Sequence, residues 1–191
     1  MKKLSKFAVT FLLCLFLANS VYSEPIPHNP PQFKTTIRGK FVQIISDLML
    51  LLSKGKNRKL QQLMLFIDDK VNQKKLSFQI DPERAANMRG VRFVVTKQNK
   101  PVIVISEKLI ASYNPKYSIV YSMLIHHFQN AKAFFTDENY LELSKNSPIE
   151  KYLYSLDAYH MEALFIKEYI KNNPRYKLTA FEGYLGRPGW P

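Results

Sequence analysis

Apolar residues recur three and four apart along residues 33–53. Ile37, Phe41, Ile44, Ile45, Leu48, Leu51 and Leu52 predict a helix, and Gly55 supplies its stop. A second amphipathic stretch, Leu60 to Val71, predicts another helix. Lys75 to Ile80 reads as a strand, and Asp81-Pro82-Glu83 opens a turn or short helix that ends at Gly90. Val91 to Thr96 and Val102 to Ser106 are β-branched runs separated by Lys97-Gln98-Asn99-Lys100-Pro101, which predicts a β-hairpin. Two long helices should follow. Asn114-Pro115 opens one that reaches about Phe135. Ser147-Pro148-Ile149-Glu150, a capping box with proline at its first position, opens one that reaches about Asn172. Strands segregated from helices in this order predict an α+β fold, mainly helical, with a small antiparallel hairpin or sheet ahead of the first long helix.

The periodicity also assigns faces. On the first long helix Ile119, Val120, Met123, Ala131 and Phe134 share a side, with His127 near its middle and His126 and Asn130 one turn apart along its edge. On the second, Ile149, Leu153, Leu156, Ala163 and Leu164 mark the expected buried face. His160 then falls within that face, Asp157 on its margin, and Glu162 on the opposite side. Two facing helices would bring His126, His127, Asn130, Asp157 and His160 toward one space.

The ends of the chain change the picture of where it works. Lys2, Lys3 and Lys6 precede an apolar run from Phe7 to Ala18, and Val21 and Ser23 occupy the −3 and −1 positions of a small-residue cleavage site. Residues 1–23 therefore read as a signal peptide. Residues 24–33, with four prolines, read as an extended leader, and 34–191 as one domain. The run is short for a permanent anchor. No later segment is apolar enough to span a bilayer. The expectation is an exported protein that is periplasmic, surface-associated or secreted. Its Lys-rich style points to a bacterium.

The sequence has 191 residues, 46% of them hydrophobic, which suffices for a real core. Its single cysteine, Cys14, lies in the signal-like run, which excludes an internal disulfide and a Cys-based zinc cluster. The formal net charge is +13, and its location matters more than its size. Between Lys34 and Lys100 there are fifteen basic and five acidic residues, whereas beyond Lys100 the two signs nearly cancel. Lys54, Lys56, Arg58 and Lys59, with Lys70, Lys74 and Lys75, are the dense part. They fit an anionic envelope component, such as lipid headgroups or acidic glycans. No nucleic-acid-binding motif accompanies the charge, so nucleic acid is not an expected partner.

The segment from Ile119 to Ala131 resembles the active-site helix of zincin-type metallopeptidases, which carries His-Glu-x-x-His and follows an edge hairpin. Asp157-Ala158 resembles the acidic residue and alanine that a later helix supplies in related families. The resemblance covers roughly Val91 to Ile170. It places His126 at the first ligand position, His127 where the family has its water-activating glutamate, and Asn130 where it has the second histidine. That chemistry needs two imidazoles one turn apart on the metal and a carboxylate to take the water's proton. With Asn130 and His127 in those places, the resemblance implies a zincin-like scaffold with a degenerate motif, an exported pseudoenzyme that binds at the envelope or outside the cell.

On this reading no cofactor is expected. One alternative is a metal-dependent hydrolase with zinc on His126, Asp157 and His160 and His127 as base. Another is an envelope- or glycan-binding module acting through Lys54, Lys56, Arg58 and Lys59, or an extracellular protein's partner. A plain structural protein is the third. Both helix histidines also fit simple core roles, hydrogen-bonded to Tyr121 or Asp157. The tail Gly183 to Pro191 reads either as a recognition segment or as a loop that packs Trp190 onto the body.

Overall fold

The computed structural model describes residues 36–82, 90–113 and 119–172. The signal-like segment, the leader, most of the predicted turn after Asp81, the Asn114-Pro115 helix start and the tail from Glu182 lie outside the described residues.

Helix α1 (Ile37–Lys54) is opened by Thr36, whose hydroxyl accepts from the Gly39 amide at 3.0 Å. It buries Phe41, Ile44, Ile45, Leu48 and Leu52, the stripe that its spacing predicts. Helix α2 (Arg58–Asn72) begins at Asn57, whose side-chain Oδ1 accepts from the Lys59 and Leu60 amides. Leu60, Leu63, Met64 and Ile67 face inward, and Asp68 is buried with them.

The sheet comprises β1 (Ser77–Asp81), β2 (Val91–Val95) and β3 (Pro101–Ser106) in the order β1-β3-β2. Strands β2 and β3 form the expected antiparallel hairpin, with Phe93 opposite Ile103. Strand β1 lies parallel to β3, with Phe78 opposite Ile103, so the sheet is mixed and not purely antiparallel. The hairpin fills one side of β3, and the chain can add β1 to the other only by crossing over. β3 is therefore central, and Val102, Ile103 and Ile105 are buried. Gly90, just before β2, sits so close to Leu109 that an added Cβ would lie 2.9 Å from the Leu109 Cβ. Its carbonyl accepts from the Ser106 amide at 2.6 Å.

Helix α3 (Glu107–Ala111) starts on Ser106, whose hydroxyl accepts from the Leu109 amide. The Lys40 Nζ of α1 donates to the Ala111 carbonyl at 2.7 Å. Helix α4 (Val120–Thr136) is the centre of the molecule: every residue from Val120 to Ile125 is buried, as are Phe128 and Ala131. Six consecutive buried residues mean that neighbours cover this part of the helix on all sides. Phe41, Phe78 and Phe128 form a run of tilted and edge-on ring contacts linking α1, β1 and α4.

Helix α5 (Tyr140–Asn146) is short and buries no residue. It is held by Tyr140, whose ring meets Phe93 of β2, Phe134 of α4 and Tyr154. Tyr154 belongs to α6 (Pro148–Asn172), whose start is capped as predicted, with the Ser147 hydroxyl accepting from the Glu150 amide. Among the described residues no helix is long and apolar enough to cross a membrane.

The inward face of α6 differs from the expected one. Ala158, Met161, Glu162, Phe165 and Ile166 are buried, whereas Ile149, Leu153, Leu156, Asp157, His160 and Ala163 are exposed. Both sides of this helix carry apolar residues, so spacing alone does not choose between them. The larger, continuous set Met161–Phe165–Ile166, with Ala158 permitting close approach, packs on α4. Tyr121 of α4 meets the Phe165 ring edge-on.

Candidate functional site

The antiparallel α4–α6 contact carries the ionisable groups. His126 projects from α4 just past the buried run, and its Nδ1 lies 3.2 Å from Glu162 Oε2. The Glu162 side chain is 1% exposed and that of His126 is 13% exposed. A protonated Nδ1 donates to the carboxylate, which fixes the imidazole plane. Glu162 Oε1 has no hydrogen-bond partner among the described residues. The His126 ring packs edge-on against Tyr159, with centroids 4.7 Å apart, and against His127 at 5.0 Å. His127 Nδ1 in turn lies 3.5 Å from Asn130 Nδ2.

This arrangement does not bring the expected three ligands, His126, Asp157 and His160, together. Asp157 and His160 lie on the exposed side of α6, with the apolar stripe that the sequence had turned inward. The carboxylate facing His126 is Glu162, which the sequence reading turned outward. The physical reason is the phase of α6, set by Met161, Phe165 and Ile166. Among the described residues no group of three or more His, Cys, Asp or Glu side chains is placed to hold a metal ion. The only sequence signal for Glu162 is its position between Met161 and Phe165-Ile166. A lone acid in an apolar stretch can mark a buried carboxylate.

A second polar network lies on the other flank of α4. Tyr113 donates to Asp47 Oδ2 of α1 at 2.7 Å and shares a short hydrogen bond with Tyr121. Burial first, then the bonds to Tyr121 and Asp47, push the Tyr113 phenol well above its usual range. At the far end of α6 the Tyr154 phenol, hydrogen-bonded to Asp137, is pushed up to about 12, chiefly by that carboxylate.

The basic residues separate into two groups. Lys54, Lys56, Arg58 and Lys59 are all exposed at the short α1–α2 connection, Lys56 within it and the others on the adjoining helix ends. Its geometry is fixed from two directions. The Gln61 side-chain amide donates to the Gly55 carbonyl at 2.9 Å, and the Lys56 amide donates to Glu168 Oε1 of α6 at 2.7 Å. Lys74 and Lys75 are exposed beyond the opposite end of α2, a helix about 22 Å long. Lys70, between the groups, is partly covered: its ammonium lies over the Phe66 ring and 3.1 Å from Asp69.

The chain matches no family model, no curated protein and no solved structure.

Proposed function

We propose that this chain is an exported, non-catalytic binding protein on a zincin-like scaffold, which engages anionic material of the cell envelope through the α1–α2 corner. The carrying observation is the clustering of four exposed cations, Lys54, Lys56, Arg58 and Lys59, at a connection held from both sides by Gln61 and Glu168. A corner held in one shape loses little entropy when it meets a partner, so its field acts as a unit.

The absence of catalysis in this reading is supported by the partners of the motif residues. His127 lies beside Asn130, whose amide offers no imidazole one turn from His126 to share a metal.

The test is retention on phosphatidylglycerol vesicles as salt is raised. Each cation near an anionic surface contributes about 1 kcal/mol, so changing all four to Gln should weaken binding by up to roughly a thousand-fold. Retention that those four changes leave intact would overturn the surface assignment. Stoichiometric zinc in the purified, untagged chain, lost on His126→Ala, would overturn the non-catalytic reading.

A further inference from the structure

The outer side of α6 is apolar where a surface helix should be polar. Ile149, Tyr152, Leu153 and Leu156 are 72%, 57%, 45% and 41% exposed. Their spacing of three, four and seven places them on one stripe, directly opposite the face that packs on α4. With about 200 Å² available on a side chain of this size, the four expose roughly 400 Å². That is about the size of the largest apolar patch on a typical monomer, a patch that is often functional. Glu150 and Asp157, seven residues apart, line one margin of the stripe.

We propose that this stripe is the docking site of the chain's own C-terminal segment, residues 173–191, with Trp190 as its anchor. Four features select this occupant. The segment carries Tyr176, Leu178, Phe181, Tyr184, Leu185 and Trp190, enough apolar side chains to cover the stripe. It also carries Arg187, three residues before Trp190, which suits a stripe edged by Glu150 and Asp157.

Reach is the third feature. From the end of α6 at Asn172 back to Leu153 is about 28 Å along the helix axis. The stretch of chain from Asn172 to Trp190 is long enough to cover up to roughly 60 Å, so Trp190 can reach the stripe. Size is the fourth. A second copy of the chain would need about 800 Å² per partner for a stable interface, twice what the stripe offers. A tethered segment avoids the association entropy that makes a small patch insufficient between separate molecules.

Trp190 is the only tryptophan in the sequence, so its fluorescence reports the segment without a label. The measurement uses the full chain, expressed with its own N-terminus. The expected result is a blue-shifted emission, shielded from acrylamide and independent of protein concentration. Leu153→Lys with Leu156→Lys should move it to the emission of the denatured chain while far-ultraviolet circular dichroism stays unchanged. Both positions are exposed, so the variant keeps its fold, and Lys54→Gln serves as a control that leaves the emission in place. A solvent-like emission in the unaltered chain would overturn the proposal, as would a blue shift that survives the double substitution. A blue shift that appears only on raising concentration, or only with phosphatidylglycerol vesicles, would overturn it in favour of a second copy or of lipid.

Discussion

Replacing Asp68 by Asn should stabilise the protein. Asp68 is a carboxylate 4% exposed on the inner side of α2, and Asn72 follows it by one helical turn. Its pKa is raised from 3.8, first by burial, against the lowering effect of its hydrogen bond to Asn72, with the Asp69 charge adding to the rise. Asp68 Oδ1 and Asn72 Oδ1 are both buried without a hydrogen-bond partner among the described residues. The Asn72 amide donates to the Asp68 carboxylate, yet one acceptor on each side chain remains without a donor. An asparagine at position 68 supplies the missing N–H. It could donate to Asn72 Oδ1 while still accepting from Asn72, and no charge would remain to desolvate.

One hydrogen bond gained contributes about 0.5–1.5 kcal/mol, and relieving a buried unpaired acceptor about 1–3 kcal/mol. Because the side chains relax, a net gain of about 1–2 kcal/mol is expected. For a domain of this size that raises Tm by roughly 3–8 °C. The pH dependence identifies the cause. A carboxyl whose folded pKa is raised holds its proton in the native state after the unfolded chain has released it. The native protein therefore loses stability as pH rises from about 3.8 through the raised value. Below that window the protonated Asp68 is itself a donor, and the advantage of Asn should fade. Thermal melts of both proteins at pH 7 and pH 3.5 would check this. A variant less stable at pH 7, or one whose gain is the same at both pH values, would refute the reasoning.

Two further outcomes follow from packing. His126→Ala leaves the Glu162 carboxylate buried with both oxygens unpaired, which should cost roughly 3–5 kcal/mol. The double change His126→Phe with Glu162→Leu should recover most of that loss in chemical denaturation, and a single change that costs nothing would mean that the pair does not hold α4 to α6. Gly90→Ala should cost about 1–3 kcal/mol, because its new Cβ would meet the Leu109 side chain at 2.9–3.0 Å; trimming Leu109 to Ala alongside it should relieve the strain, and a non-additive double mutant is the readout.

The hairpin was legible in the sequence because Val91–Val95 and Val102–Ser106 are runs with no competing helical period. The start of α6 is legible in its cap, Ser147-Pro148, whereas α4 begins at Val120 without a side-chain cap. Helices α3 and α5 were not, since five and seven residues hold too few turns to show a period. The parallel partner of β3 was also hidden, because strand order depends on a crossover that local pattern does not encode. The site failed at one point, the rotation of α6. Ile149, Leu153 and Leu156 offer as good a stripe as Ala158, Met161 and Phe165, and only the shape of α4 decides between them. That rotation exchanged Asp157 and His160 for Glu162.

The crossover in the sheet has a consequence for how the chain acquires its structure. Emerging N-terminus first, α1, α2 and β1 are complete before β3 exists, and β3 is the only strand that pairs with β1 among the described residues. The inner faces of α1 and α2 wait longer still for α4. Stable packing of α1, α2 and β1 should therefore wait until the segment carrying His126 has been made.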